Sequence, residues 1–243
     1  MTASLTSRSA GLALAWLAAT AAAPAVAAGD SEAVDIGLVL AVDVSGSVTG
    51  ERYSLQMDGI AAAFEDSAVQ GAILGGRHRA LVITLVQWSD KAQTSIPWTV
   101  VASAADARAF AERVRHAPRV AEQFTCMSQM MRFVADKVLP RVPAQPARTV
   151  LDVSGDGAEN CNPTTPVDAL RDELVGEAVT INGLPILEGD DSDLLEPWYA
   201  SHVVGGNGAF LMPARGFPDF ARAMRQKFLV EISSASPGGK PRQ

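Results

Sequence analysis

Basic side chains are in the minority: 20 Lys and Arg face 27 Asp and Glu, for a net charge of −7. That balance argues against a nucleic-acid binder, which needs cations to displace counterions from phosphates. Cysteine is scarce too. Two cysteines are too few for a cysteine-only zinc site or a disulfide-dense miniprotein, and leave room for one disulfide. The three histidines, His78, His116 and His202, lack zinc-ligand spacing, and none pairs with a G-x-S-x-G nucleophile elbow. Charged residues make up only 19% of the chain and hydrophobic ones 48%. That composition excludes a disordered chain and supplies a sizeable core. A length of 243 residues suits one domain or two small ones.

Long apolar runs are absent beyond the amino terminus, so no later segment reads as a membrane span. The amino terminus itself has three parts: Arg8, the apolar run Gly11 to Ala23, and Pro24 followed by Ala25-Val26-Ala27-Ala28. This is the pattern of a secretory signal peptide over residues 1–28, cleaved after Ala27 or Ala28. The run is short for a span, which needs roughly 20 apolar residues. The alanine-rich signal implies a bacterial protein, periplasmic or secreted, in a compartment that permits a disulfide.

Downstream, strands and helices alternate. Val34 to Val42, Ala80 to Trp88, Thr149 to Val153 and Ala178 to Leu187 are short, mostly apolar and rich in β-branched residues, the signature of buried strands. Thr94 to Val101 is a shorter strand that Pro97 confines to an edge, and Ala209 to Met212 is a last strand. Helical spacing marks Tyr53, Met57, Ile60 and Phe64; Ala107, Phe110, Ala111 and Val114 after a Ser103 cap; and Met127, Met130, Met131 and Val134. Further helices are expected over Pro166 to Val175 and Leu194 to Val203. A final one turns Phe217, Phe220, Ala221, Met224 and Phe228 inward. Pro140, Pro143 and Pro146 make a stiff connector. The expected fold is α/β: one doubly wound, mostly parallel sheet with helices on both faces, over residues 34–233. Residues 234–243 form a polar tail expected to be disordered.

Ligands of such sheets bind at the carboxyl ends of the strands, where strand order reverses. After the first strand comes Asp43-Val44-Ser45-Gly46-Ser47, a D-x-S-x-S pattern. Its carboxylate and two hydroxyls are hard oxygen ligands, suited to Mg²⁺ or Mn²⁺. Asp156 follows Thr149 to Val153, the fourth strand in chain order, and Thr125 lies between at a loop-to-helix start. Asp43, Ser45, Ser47, Thr125 and Asp156, in that order, resemble the metal-ion-dependent adhesion site of von Willebrand factor type A domains. More narrowly, LAVDVSGSV, GGRHRALVITLVQWS, LDVSGDGAEN, VTINGLPIL and VVGGNGAFLMPA resemble a bacterial secreted subfamily of unknown function. The resemblance implies a six-stranded sheet, five strands parallel and one a short antiparallel edge strand. It also implies that Ser45, Ser47 and Thr125 contact the metal directly, with Asp43 and Asp156 direct or water-bridged. One coordination position then remains for an acidic side chain of another protein. The chain departs from the family in carrying Phe124, where glycine is common, and Cys126 beside Thr125.

If that site forms, Cys126 and Cys161 approach each other on its two loops. A disulfide there would close a loop of about 35 residues, contributing roughly 3–4 kcal/mol in the chain-entropy model. Two other functions compete with metal-dependent adhesion or assembly. One is a Mg²⁺-dependent phosphatase of the haloacid dehalogenase type, with Asp43 as nucleophile, Lys137 and the Gly155-Asp156-Gly157 segment. Against it, Ser45 stands where that chemistry wants a general acid and Asn160 where it wants a second aspartate. The other is a scaffold that binds no metal. Finally, Glu188, Asp190, Asp191, Asp193 and Glu196 read as a solvated loop before an acidic rim.

Overall fold

The computed structural model describes residues 32–120, 122–161, 164–189 and 192–234. The proposed export signal lies outside the described residues, as do Asp190, Asp191 and the tail beyond Ser234. Strand β1 (Ala33–Asp43) is buried from its second residue onward. It pairs in parallel with β2 (Leu81–Trp88) on one side and β4 (Gln145–Gly155) on the other. Strand β3 (Ala92–Val101) runs antiparallel to β2 at one edge, and β5 (Val179–Pro185) runs parallel to β4. The order is β3-β2-β1-β4-β5.

The strands are apolar almost throughout because both faces are covered. Ile36, Leu38, Leu40 and Val42 of β1 face a core with helices α1 (Gly50–Glu65), α2 (Ser67–Leu74), α3 (Ala104–Arg115) and α7 (Phe220–Ser234). Val39 and Ala41 face the other core, with α4 (Met127–Phe133), α5 (Val167–Gly176) and α6 (Ser192–His202). On the first face Phe64 stacks edge-on against Phe110 and Phe228, ring centroids 4.8 and 5.2 Å apart. The helical stripes expected on α1, α3 and α4 are buried. Ser103 caps α3 by accepting from the Asp106 amide.

Three details differ from expectation. Five strands, not six, are formed among the described residues; the region around the expected sixth makes isolated bridges to β5 and the residue after it, Ile181 to Gly205, Gly183 to Leu211 and Ile186 to Ala214. Gly205, Gly206, Gly208 and Pro213 interrupt that segment, and both residue types disfavour a continuous ladder. Pro146 is not in a connector but inside β4, opposite Val34. Strand β5 joins β4 only from Thr149 onward, so Pro146 has a single strand neighbour and its missing donor breaks no ladder. On α7, Ala221 is exposed and Ala223 buried, and the buried face also takes in Lys227 and Glu231.

Candidate metal centre

The strand order reverses between β1 and β4, and both end at the same rim of the sheet. Val42 pairs with Ser154, so Asp43 and Asp156 leave adjacent strand ends. Gly155 lets them meet: a Cβ there would lie 2.8 Å from Asp43 Oδ2 and 2.9 Å from the Tyr199 hydroxyl. Any other residue would push these groups apart.

The five sequence-derived residues come together here. The Ser45 amide donates to Asp43 Oδ1 at 2.7 Å. The Ser45 and Ser47 hydroxyls lie 3.3 Å apart, and Thr125 Oγ1 donates to Ser45 Oγ at 3.4 Å. Ser47 Oγ donates to Asp156 Oδ1 at 2.7 Å. Asp43, Ser45 and Thr125 are buried while Ser47 is exposed, so the cluster opens to solvent on the Ser47 side. Asp43 Oδ2 is buried and has no hydrogen-bond partner. Burial, opposed by the Ser45 amide and reinforced by the Asp156 charge, pushes the Asp43 carboxyl up to about 7. Burial likewise raises Asp156. Tyr199 is raised well above its ordinary range by burial and by both aspartates, and its hydroxyl is also unpartnered. A buried, unpartnered carboxylate oxygen is costly, and a hard cation held by carboxylate and hydroxyl oxygens would remove that cost.

Supporting residues were not evident from sequence. The Asn160 side chain accepts from the Thr125 amide at 2.7 Å. Asp90 Oδ2 accepts from the Gln123 and Phe124 amides, each at 2.7 Å. Gln56 Nε2 donates to the Asp43 carbonyl at 3.1 Å. Phe124 is half exposed, so its ring does not crowd Thr125. Arg52 Nη1 donates to the Ser47 carbonyl at 2.8 Å and stands 3.7 Å from Asp156 Oδ2. Its other arm pairs with Glu188, and Glu188 also accepts from the Phe217 amide at 3.1 Å. Glu188 is therefore a tethered member of this rim rather than a solvated loop residue. Short polar residues at turns were the only local hint of these roles.

Cys126 and Cys161 form a disulfide, with Cα atoms 5.3 Å apart. Glu159 lies beside it, and the three make the one His/Cys/Asp/Glu cluster of metal-binding dimensions among the described residues. With both sulfurs bonded to each other, that cluster lacks thiolate ligands. Glu159 instead bonds the Ser128 and Cys161 amides at 2.8 and 3.1 Å. Lys137 is exposed and lines a different cleft with Arg132 and Thr164. His78, His116 and His202 lie in a turn, at the end of α3 and at the end of α6, and His202 pairs with Asp168 at 2.6 Å.

A family model described as "Protein of unknown function (DUF1194)" matches residues 33–236. The chain belongs to that family. Its fold is that of the von Willebrand factor type A domains. Proximal thread matrix protein 1 from the mussel byssus is similar at 14% identity and a TM-score of 0.61, over 84% of this chain and 48% of that one. A second structure of the mussel protein, described as having a zinc-occupied MIDAS motif, is similar at 13% identity and a TM-score of 0.60, over 82% and 46%. This chain thus spans about half the length of the mussel protein. The domain of the type V pilus tip protein Mfa5 from Porphyromonas gingivalis is similar at 11% identity and a TM-score of 0.57, over 85% of this chain and 98% of that one. At these identities the likeness concerns the fold alone. No curated protein matches the chain.

Proposed function

We propose that this DUF1194 protein is an exported, metal-dependent binding module for adhesion or assembly. Asp43, Ser45, Ser47, Thr125 and Asp156 would hold Mg²⁺ or Mn²⁺, and the cation would capture a carboxylate presented by another protein. The observation that carries this reading is Asp43 Oδ2: a buried carboxylate oxygen without a partner, at the point where strand order reverses, beside three hydroxyls. Hydroxyl ligands are neutral, so two carboxylates only balance a dication. The metal keeps an appetite for one more anionic ligand. The zinc-occupied motif described for the mussel protein and the pilus-tip setting of the Porphyromonas domain support the same reading.

A cleft of about 530 Å³ opens beside Asp156, lined in part by Glu159, Glu188, Leu194, Leu195 and Trp198. It gives a partner segment an apolar wall next to the cation. Among the described residues no helix is long and apolar enough to cross a membrane, in keeping with an exported module. The phosphatase alternative has less support, because Asp43 is fully buried and Lys137 lies away from it.

Two measurements test the proposal. Mg²⁺ or Mn²⁺ should raise the melting temperature of the wild type but not of Asp43→Ala; equal shifts would sink the cation site. Proteins retained from the native envelope in Mg²⁺ should be released by EDTA; EDTA-insensitive retention would sink the role of the metal in binding.

A further inference from the structure

A second set of buried ionisable groups lies within the sheet, away from the rim. Asp152 sits on β4 between Leu40 of β1 and Asn182 of β5. Helix α7 crosses that face and places Lys227 over it. Lys227 and Glu231 are 0% exposed and Asp152 is 4% exposed. Lys227 Nζ contacts Asp152 Oδ2 and donates to Glu231 Oε2 at 2.8 Å. Asn182 Nδ2 bridges the two acids, 3.3 Å from Asp152 Oδ1 and 3.0 Å from Glu231 Oε2. The Phe210 and Phe228 rings stand 5.7 and 5.9 Å from Nζ. The adjoining cavity of about 10 Å³ is no larger than one water.

We propose that Lys227 and Asp152 are joined by an intramolecular amide bond that the folded protein makes itself, with Glu231 as the proton carrier. The chemistry needs an amine held against a carboxyl carbon, a neutral carboxylic acid and a nearby base, all without bulk water. The amine is in contact with the carboxyl group. Burial, and then the Glu231 charge, push Asp152 up to about 8, which favours its neutral form. Burial opposes the Lys227 charge, but Asp152 and Glu231 outweigh it and raise the lysine. The amine must therefore give up a proton before it can attack, and Glu231 Oε2 is placed to take it.

The step balances. The Lys227 ammonium passes one proton to the Glu231 carboxylate. The free amine attacks Asp152 Cγ and the N–C bond forms. The nitrogen loses a second proton, which joins the departing Asp152 hydroxyl as the C–O bond breaks. The products are a secondary amide, one water and a neutral Glu231. No co-reactant is required, and Lys227, Asp152 and Glu231 all end without charge. In bulk water such condensation is unfavourable. Here the fold has already brought the groups together, and effective molarities of about 10⁵–10⁸ M are within reach of well-oriented intramolecular pairs. Losing a buried ion pair also removes a desolvation cost. The bond would fasten α7 to a central strand.

Mass spectrometry of the purified mature chain, its N-terminus fixed by sequencing and its disulfide reduced, tests this. The wild type should be lighter than its sequence by about 18 Da, the water lost. Fragmentation should yield a branched peptide joining Asp152 to Lys227. The deficit should vanish in Lys227→Met, and Glu231→Gln, folded by circular dichroism, should stay unlinked. A full-mass wild type overturns the proposal, as does a deficit that persists in Lys227→Met or two separate linear peptides. The branched peptide from the wild type decides even where a variant does not fold. A fully linked Glu231→Gln would overturn the part assigned to Glu231.

Discussion

Two places in this sheet bury paired acids, and they are resolved differently. At the rim, Asp43 and Asp156 meet with three hydroxyls. Arg52 stands 3.7 Å from Asp156 Oδ2, while Asp43 Oδ2 has no hydrogen-bond partner. Within the core, Asp152 and Glu231 enclose Lys227, so the group that answers the two acids is part of the chain. The rim leaves a charge for something else to neutralise; the core completes itself. On the readings proposed above, the same functional groups serve a binding site in one place and a fastening in the other. What separates them is whether a lysine reaches in from the covering helix.

The largest way to break this contrast is Lys227→Met. It conserves length but removes the proposed cross-link to Asp152 and the Lys227 contact with Glu231, and losing one member of a buried polar pair costs about 3–5 kcal/mol. Urea unfolding at neutral pH should show that loss, while the rim keeps its response to Mg²⁺. Next is the double substitution Cys126→Ser, Cys161→Ser. Freeing a loop of sequence separation 35 should cost roughly 3–4 kcal/mol. Because the bond joins the Thr125 and Asp156 loops, the variant should also bind cation more weakly, read as a smaller thermal shift. Gly155→Ala places a methyl 2.8 Å from Asp43 Oδ2. It should cost about 1–3 kcal/mol and remove the thermal shift, sparing the core. The smallest effect belongs to Arg52→Ala. Its partly exposed pairs contribute about 0–1 kcal/mol, so stability should hardly move. Cation affinity should rise a few-fold once Asp156 has no competing guanidinium, as a Mn²⁺ titration would register.

The same contrast explains what could be read from the residues alone. The rim was legible because Asp43, Ser45 and Ser47 are close in sequence and sit at the end of an apolar run. Thr125 and Asp156 joined them through the family pattern, and the two cysteines followed. The sheet was legible because strands such as Val34 to Val42 are apolar on both faces, and α1 and α3 show regular stripes. The core centre was not. Asp152 lies within a strand and Lys227 within the final helix, 75 residues apart in sequence, and neither carries a local signal of the other. Their partnership is a contact across the fold with no local periodicity. The same gap misplaced the inward face of α7 at Ala221 instead of Ala223. It also hid Arg52, Asn160 and Asp90, whose roles depend on loops that meet only after folding. Ala209 to Met212 is apolar and does bond to β5 through Gly183, but the glycines around it disfavour a continuous ladder.

The proposed cation site rests on Asp43. Calorimetric titration of Mn²⁺ into the EDTA-stripped mature protein, beside Asp43→Ala, tests it most directly. The account predicts one saturable site in the wild type and none in the variant. No site in the wild type, or the same site in both, would contradict it.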